Sequence, residues 1–466
     1  MAGLPFAAWA SVFALVMAGS AAAGPQQRIM TLNDALAIAY QTNPQIGGEQ
    51  AALRAADEGV SKANAGFRPT VTASGSYGLE YEHQNQSFGS IFQPKVTSGT
   101  VQPLTGQVVL TQPVYRGGRT AAEISKAKAQ VRQERARLAG VEEQVLFDAT
   151  QAYMDLVRDA NIYEYQVDNV TALTKQRDDV QKEFKLKEVT RTDVAQAEAR
   201  LAGAQAALAQ AQGQLASSRA QFTQVIGRAP DLLEQSPAYP EMPRNLDDTI
   251  AAALKLNPGL VAARENERAA AYTVDDAVGA MQPEVNVQAE YAYSKDPLSA
   301  LSFNNNLEQH IGAVIGQVSI PIYQGGADIA TVKQSEQLHG QSQLQIIDAE
   351  RQARQQAESS WKTFTAAEDA IKLNEAQVAA DQLAYEGVQK EQKAGTRTVL
   401  DVLNAEQELL NAKVAVASAK RDAYVAAAQI MAAAGLLRAK PMGLKVKLYD
   451  ESEHYDDATD WLGFGG

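Results

Sequence analysis

The chain has 466 residues, a formal net charge of −13 and no cysteine. The missing cysteine excludes a disulfide framework, a thiolate metal site, a cysteine nucleophile and a lipidated N-terminal cysteine. The acidic balance offers no basic stripe to nucleic-acid phosphates, and 6% aromatic residues is low for a large globular core but ordinary for an alanine-rich coiled coil.

Residues 1–23 read as a secretory signal peptide. An apolar run, Phe6 to Met17, leads into Ala21-Ala22-Ala23, an A-x-A cleavage pattern before Gly24, although no Lys or Arg precedes the run. Beyond it no apolar stretch is long enough for a spanning helix, so membrane entry would have to be by strands. A first structural unit, 24–229, opens with a helix capped by Thr31 or Asn33 and running to Asn64. Pro69 then starts a strand in which Val71, Ala73, Gly75, Tyr77, Leu79 and Tyr81 alternate with polar neighbours. A polar loop, His83 to Gly106, leads to a return strand near Gln107 to Val114. Gly117-Gly118 turns the chain into a long proline-free helix, in which Ala149, Tyr153, Leu156, Ala160, Tyr163, Val167 and Val170 keep a four-three spacing. It ends near Lys187. A returning helix, about 191–227, carries a seam of small and apolar residues: Val194, Ala197, Leu201, Ala204, Leu208, Ala211, Leu215, Ser218 and Phe222.

A Pro-rich linker, 230–244, leads to a second unit, 245–437, that repeats the first. LNDALAIAYQTNP (Leu32 to Pro44) matches LDDTIAAALKLNP (Leu246 to Pro258), and QPVYRGGR (Gln112 to Arg119) matches IPIYQGGA (Ile320 to Ala327). Asp247 caps a helix to Val278. Pro283 opens a strand with Val285, Val287, Ala289, Tyr291 and Tyr293 on one face. A loop from Ser294 to Gln309, a return strand from Ile311 to Ile322 and Gly325-Gly326 follow. The second long helix ends near Lys393, and its returning helix has the seam Val402, Ala405, Leu409, Ala412, Val416, Ala419, Ala423, Ala426 and Ile430. At 1.5 Å per residue each long helix spans ~105 Å, and the short helices match it only when stacked end to end. The linker and an acidic tail, 438–466, with Trp461 and Phe464, meet this rod at its middle.

Four strands are too few to close a barrel, and open edges would leave unsatisfied amides in lipid, so closure requires several chains. A soluble sheet capping a coiled coil is the plainer alternative; the signal peptide, the tyrosines and the long polar loops favour the barrel. An enzyme is not expected. His83, His310, His339 and His454 lack ligand spacing, and no phosphate loop or Ser-His-Asp pattern occurs, so no cofactor and no metal is called for.

GTRTVLDVLNAEQELLNAK at the second far turn, PVYRGGR and PIYQGGA at the strand-to-helix turns, and the two helices ending in Asn-Pro together carry a resemblance. The chain resembles the TolC family of outer-membrane channel proteins over essentially its whole mature length. The resemblance implies a mixed α and membrane-β fold: a homotrimer with a 12-stranded transmembrane β-barrel, four strands per chain, continuous with a long periplasmic α-helical coiled-coil tunnel. It implies the cell outer membrane of a Gram-negative bacterium, with outer-membrane lipid, a periplasmic adaptor and an inner-membrane ABC or RND pump as partners. The implied function is the exit duct of a tripartite export system. The missing lipidation cysteine and the YRGGR pattern lean towards protein export by type I secretion, with multidrug efflux as the alternative. A non-channel periplasmic coiled-coil structural or adaptor protein is the reading from another class.

The family's constriction, an aspartate ring in a DVLD motif, reads Asp401-Val402-Leu403-Asn404 here. Asp401 keeps the first carboxylate and Asn404 replaces the second, so the ring's negative field should be about half that of the two-aspartate pattern. The bland alternative for Asp401 is a helix-start carboxylate favoured by the dipole. The family's tip latch maps onto Arg397, with its partner Asp193 preceded by Thr192; a tyrosine that supports the closed state there is Gln392 in this chain.

Overall fold

The computed structural model describes residues 29–86, 95–296 and 307–459; the expected signal peptide, Trp461 and Phe464 lie outside the described residues. Thr31, not Asn33, starts the first helix, α1 (Leu32–Thr42), through a capping box with Asp34. The run expected to continue to Asn64 is two helices. Pro44 has no N–H and pushes the residue before it out of the α region, so Asn43 sits at φ −71, ψ 123 and α2 (Pro44–Asn64) begins afresh. The second Asn-Pro does the same. It separates α5 (Leu246–Leu256), capped by Asn245 rather than Asp247, from α6 (Pro258–Gly279).

The described strands are β1 (Thr70–Tyr77), β2 (Glu80–Gln86), β3 (Lys95–Val101), β4 (Leu104–Arg116), β5 (Glu284–Asp296) and β6 (Leu307–Ser319). Four form one antiparallel sheet in the order β1-β4-β5-β6, while β2 and β3 form a separate ribbon. The ribbon corrects the polar loop expected over 83–106. It also keeps the register of the sheet: pairs run from Thr70↔Thr111 to Tyr77↔Leu104 and resume in step at Glu80↔Val101. Among the described residues the hairpin is thus interrupted only at 78–79 and 102–103, where Pro103 has no ladder N–H to give. β5 and β6 likewise extend to Asp296 and back from Leu307, into the stretch expected as loop.

Cross-strand pairing places Val71, Tyr77, Leu104, Val108, Leu110, Val287, Tyr291 and Tyr293 on one face. The opposite face of β1, β4 and β5 carries Thr70, Thr72, Ser74, Ser76, Gln107, Thr111, Asn286, Gln288 and Glu290. β6 departs from this division. Ile311, Ala313 and Ile315 oppose Ala292, Glu290 and Gln288, whereas His310 lies on the apolar face, its Nδ1 2.9 Å from the Tyr291 hydroxyl.

Each glycine pair turns with positive φ, Gly117 and Gly118 at +61 and +81, Gly325 and Gly326 at +64 and +83, into the long helices. α3 (Arg119–Lys185) and α7 (Ala327–Lys393) are 67 residues each, or ~100 Å. α4 (Arg191–Ile226) returns beside α3, and α8 (Val399–Ala433) lies against both α7 and α3. Nearer the strands, α2 and α6 take the places beside α3 that α4 and α8 occupy further away.

The short helices abut end to end through asparagine. Asn43 Oδ1 accepts the Gln45 N–H at 2.9 Å to cap α2, while its Nδ2 donates to the Val225 carbonyl near the end of α4 at 3.3 Å. Asn257 accepts from Leu260 N–H at 3.2 Å and donates to the Ala433 carbonyl of α8 at 3.4 Å. Midway along α3, the Tyr153 hydroxyl donates to the Met30 carbonyl and accepts the Glu234 N–H, both at 2.9 Å, so the linker is held there. Linker residue Tyr239 packs on Tyr424 and Phe364, with ring centroids 4.7 and 5.6 Å apart. The tail ends in a short helix, α9 (Glu453–Thr459), whose His454 approaches the buried Asp57 of α2 at 3.3 Å.

Candidate functional site

The far end of the helices holds the residues singled out by the sequence. After α3 the chain turns through Lys187 at φ +66, and after α7 through Gly395 at φ +80. Each return helix then starts from a threonine N-cap. Asp193 Oδ2 accepts from Thr190 N at 2.8 Å and Oγ1 at 2.7 Å; Asp401 Oδ2 accepts from Thr398 N at 3.0 Å and Oγ1 at 2.8 Å. Both carboxylates therefore close capping boxes, which explains their position three residues after a threonine. The Thr398 hydrogen bonds, with a smaller contribution from Arg397, hold the Asp401 carboxyl below the usual carboxylate range.

Within the chain, Arg397 does not meet Asp193. Its Nε donates to Glu391 Oε2 at 3.0 Å, across its own turn. Thr192 is exposed on the first turn of α4, and Gln392 is half-buried at the end of α7, where its carbonyl accepts the Gly395 N–H at 2.9 Å. Asn404 is engaged in a way the sequence did not suggest: its Oδ1 accepts from Arg200 Nη2 at 2.8 Å, a bond from α4 to α8. Beneath it, Val399 and Leu403 of α8 pack with Leu173 and Val180 of α3 and with Leu201 and Ala204 of α4. The start of α8 is thus seated on the α3–α4 hairpin by an apolar cluster with one polar bond above it. Arg200 has no local signal, because its partner is 204 residues away. The available hint is divergence: at the 208-residue offset of the two seams, Arg200 corresponds to Glu408.

Two residues after Asn404, Glu406 lines a groove of about 280 Å³ with Tyr165, Asp168, Tyr385 and Lys413. It is buried, its Oε2 has no hydrogen-bond partner among the described residues, and burial pushes its carboxyl up to about 7. Its place in an ordinary-looking helix run concealed this.

The strand-to-helix turn is a second charged joint. Arg119 donates to Asp276 of α6 at 3.1 Å and to Glu284 of β5 at 3.3 Å, and Arg116 reaches Glu123 at 3.4 Å. The matching turn at Gly325-Gly326 has Gln324 and Ala327 in those places, with Ile322 94% and Tyr323 82% exposed beside it. Among the described residues no group of three His, Cys, Asp or Glu could hold a metal, and no helix is long and apolar enough to cross a membrane. The histidines are dispersed: His310 on the sheet, His339 against Glu267 at 2.7 Å, His454 in the tail.

A sequence profile described as "Outer membrane efflux protein" matches residues 35–228 and 249–436. The outer membrane efflux protein BepC of Brucella suis is 32% identical over 451 residues, covering 97% of this chain and 95% of that protein. The outer membrane protein TolC of Escherichia coli is 23% identical over 415 residues, covering 85% of this chain and 80% of that one. Among solved structures, the outer membrane protein VceC of Vibrio cholerae has the same fold, with a TM-score of 0.71 at 21% identity over 87% of this chain and 96% of that one.

Proposed function

The chain belongs to the outer membrane efflux protein family, and on that premise we propose that three copies form the exit duct of a tripartite export system. The protein is an outer-membrane channel. What carries the trimeric reading is the sheet: among the described residues β1 and β6 are both unpaired edges, and one face is largely apolar across β1, β4 and β5. A second copy's β1 beside β6 pairs one edge from each copy, and a third copy pairs the two edges that remain, closing twelve strands. The same arrangement covers the apolar residues that α7 leaves bare, among them Leu338, Leu344, Leu373 and Leu383, together with Ile322 and Tyr323 at the second glycine turn. Two duplicated units, 24–229 and 245–437, then alternate around the axis, with the linker 230–244 and the tail girdling the middle.

In this reading Asp401 rings the periplasmic constriction, with Asn404 beside it. Arg397 of one copy meets Asp193 and Thr192 of the next, near Gln392. A periplasmic adaptor docks at the exposed tips, Lys187–Arg191 and Lys393–Arg397, and an ABC or RND pump supplies the cargo, whether protein or small toxic compound. No catalysis is required of a duct. The test is reconstitution of the detergent-extracted protein into planar bilayers. A heat-modifiable trimer that forms ion channels is expected; a soluble monomer without conductance overturns the reading.

A further inference from the structure

We propose that Arg200 is a selectivity-determining residue of the constriction and the tether that keeps it closed within each chain. The inference rests on the duct reading. Asp401 and Asn404 lie three residues apart on α8, and Glu408 four further on, so all three share one face. The guanidinium of Arg200 reaches that face from α4 and bonds to the Asn404 amide oxygen at 2.8 Å.

Two consequences follow from the chemistry of this pair. An amide carries no charge, so the guanidinium is not neutralised by its partner. Of the other charges at this end, Arg397 is paired with Glu391, while Asp193 and Asp401 each keep their negative charge as they close a helix-start capping box. Arg200 therefore offsets one of the two carboxylates, Asp401 and Glu408, that each chain presents on this face. The bond is also a mechanical link. It crosses from one hairpin to the other above the apolar seat of Val399 and Leu403, so α8 cannot swing away from α4 without breaking it.

The test is single-channel recording of the full-length trimer in planar bilayers, with reversal potentials in a salt gradient and trimer retention on gels as the folding control. Arg200→Ala removes both tether and charge. It should raise the mean conductance by up to about fivefold, the shift in open population that one exposed charged hydrogen bond can hold, and shift selectivity towards cations. Asn404→Ala removes the tether and keeps the charge, so conductance should rise without a gain in cation preference. Arg200→Lys should preserve the wild-type selectivity. The double variant Arg200→Ala/Asn404→Ala should conduct like Arg200→Ala, because the pair shares one interaction. Wild-type conductance and selectivity in both single variants, or additive effects in the double, overturn the proposal. A wild-type protein that forms no channel overturns the duct reading instead.

Discussion

Glu143 of α3 and Glu406 of α8 are buried carboxylates, each with an oxygen that has no hydrogen-bond partner among the described residues. Burial pushes Glu143 up to about 9, even with Arg438 nearby, and Glu406 up to about 7. A glutamate in the unfolded chain titrates near ~4.3. Since both folded values are raised, the folded protein holds these protons more tightly than the unfolded one. Stability is then greatest below pH ~4.3 and declines as pH rises, up to about 7 for Glu406 and about 9 for Glu143. Glu406→Gln should therefore have little effect at pH ~4 and stabilise on the order of 1–2 kcal/mol at pH ~8, with no further gain above that. Glu143→Gln should continue to gain up to pH 9. Thermal melts of both variants across this range check the two windows; a pH-independent shift in either would mean that burial does not set its titration. Asp401, by contrast, was legible as a helix-start carboxylate, because a capping box is written in four consecutive residues, whereas the burial of Glu406 depends on α3 and α7.

At the scale of the helices, Asn43 and Asn257 explain why both Asn-Pro pairs matter. Proline ends one helix and preorganises the next, and the asparagine serves two helix ends at once, accepting for the upper and donating to the lower. At an isolated N-cap, aspartate is as good as asparagine. Here it would lose the donor and set a charge against the carbonyl end of α8, where the dipole is negative. Asn257→Asp should thus destabilise by about 1 kcal/mol, comparable to Asn257→Ala, and a melt in which Asp is neutral would refute the double role. The dipeptides were visible in the sequence, yet the helical pattern was carried through them because the apolar spacing of α1 and α2 is nearly continuous. The glycine turns and alanine seams were readable, since positive φ and four-three spacing are local signals. The β2–β3 ribbon was not: His83, Gln84, Asn85 and Gln86 have no apolar face, so their pairing comes only from extending the β1–β4 register.

For the whole molecule the decisive place is the joint between sheet and helices, which is built twice with different surroundings. At Gly117 an added Cβ would lie 2.2 Å from the Gly279 carbonyl oxygen and 2.6 Å from Gln282 Cβ, while Arg119 ties α3 to α6 and β5. At Gly325 an added Cβ would meet nothing within 4 Å among the described residues beyond its chain neighbours. The first joint is therefore completed by the chain's own α6, and the second is open within the chain, where the proposed trimer would bring a neighbouring copy. Gly117→Ala should prevent the folded chain from accumulating, because the backbone of α6 cannot yield by that much. Gly325→Ala meets only the cost of a left-handed alanine, roughly 1–2 kcal/mol, and should still give a folded chain. Limited proteolysis of extracted protein reads the folding of each chain, and gel mobility reads its trimer. If a neighbour packs on the second turn as closely as α6 does on the first, Gly325→Ala will spare the fold but lose the trimer. A Gly325→Ala trimer as heat-stable as wild type would place that turn away from the subunit contact, and the alternation of the two units around the axis would have to be redrawn.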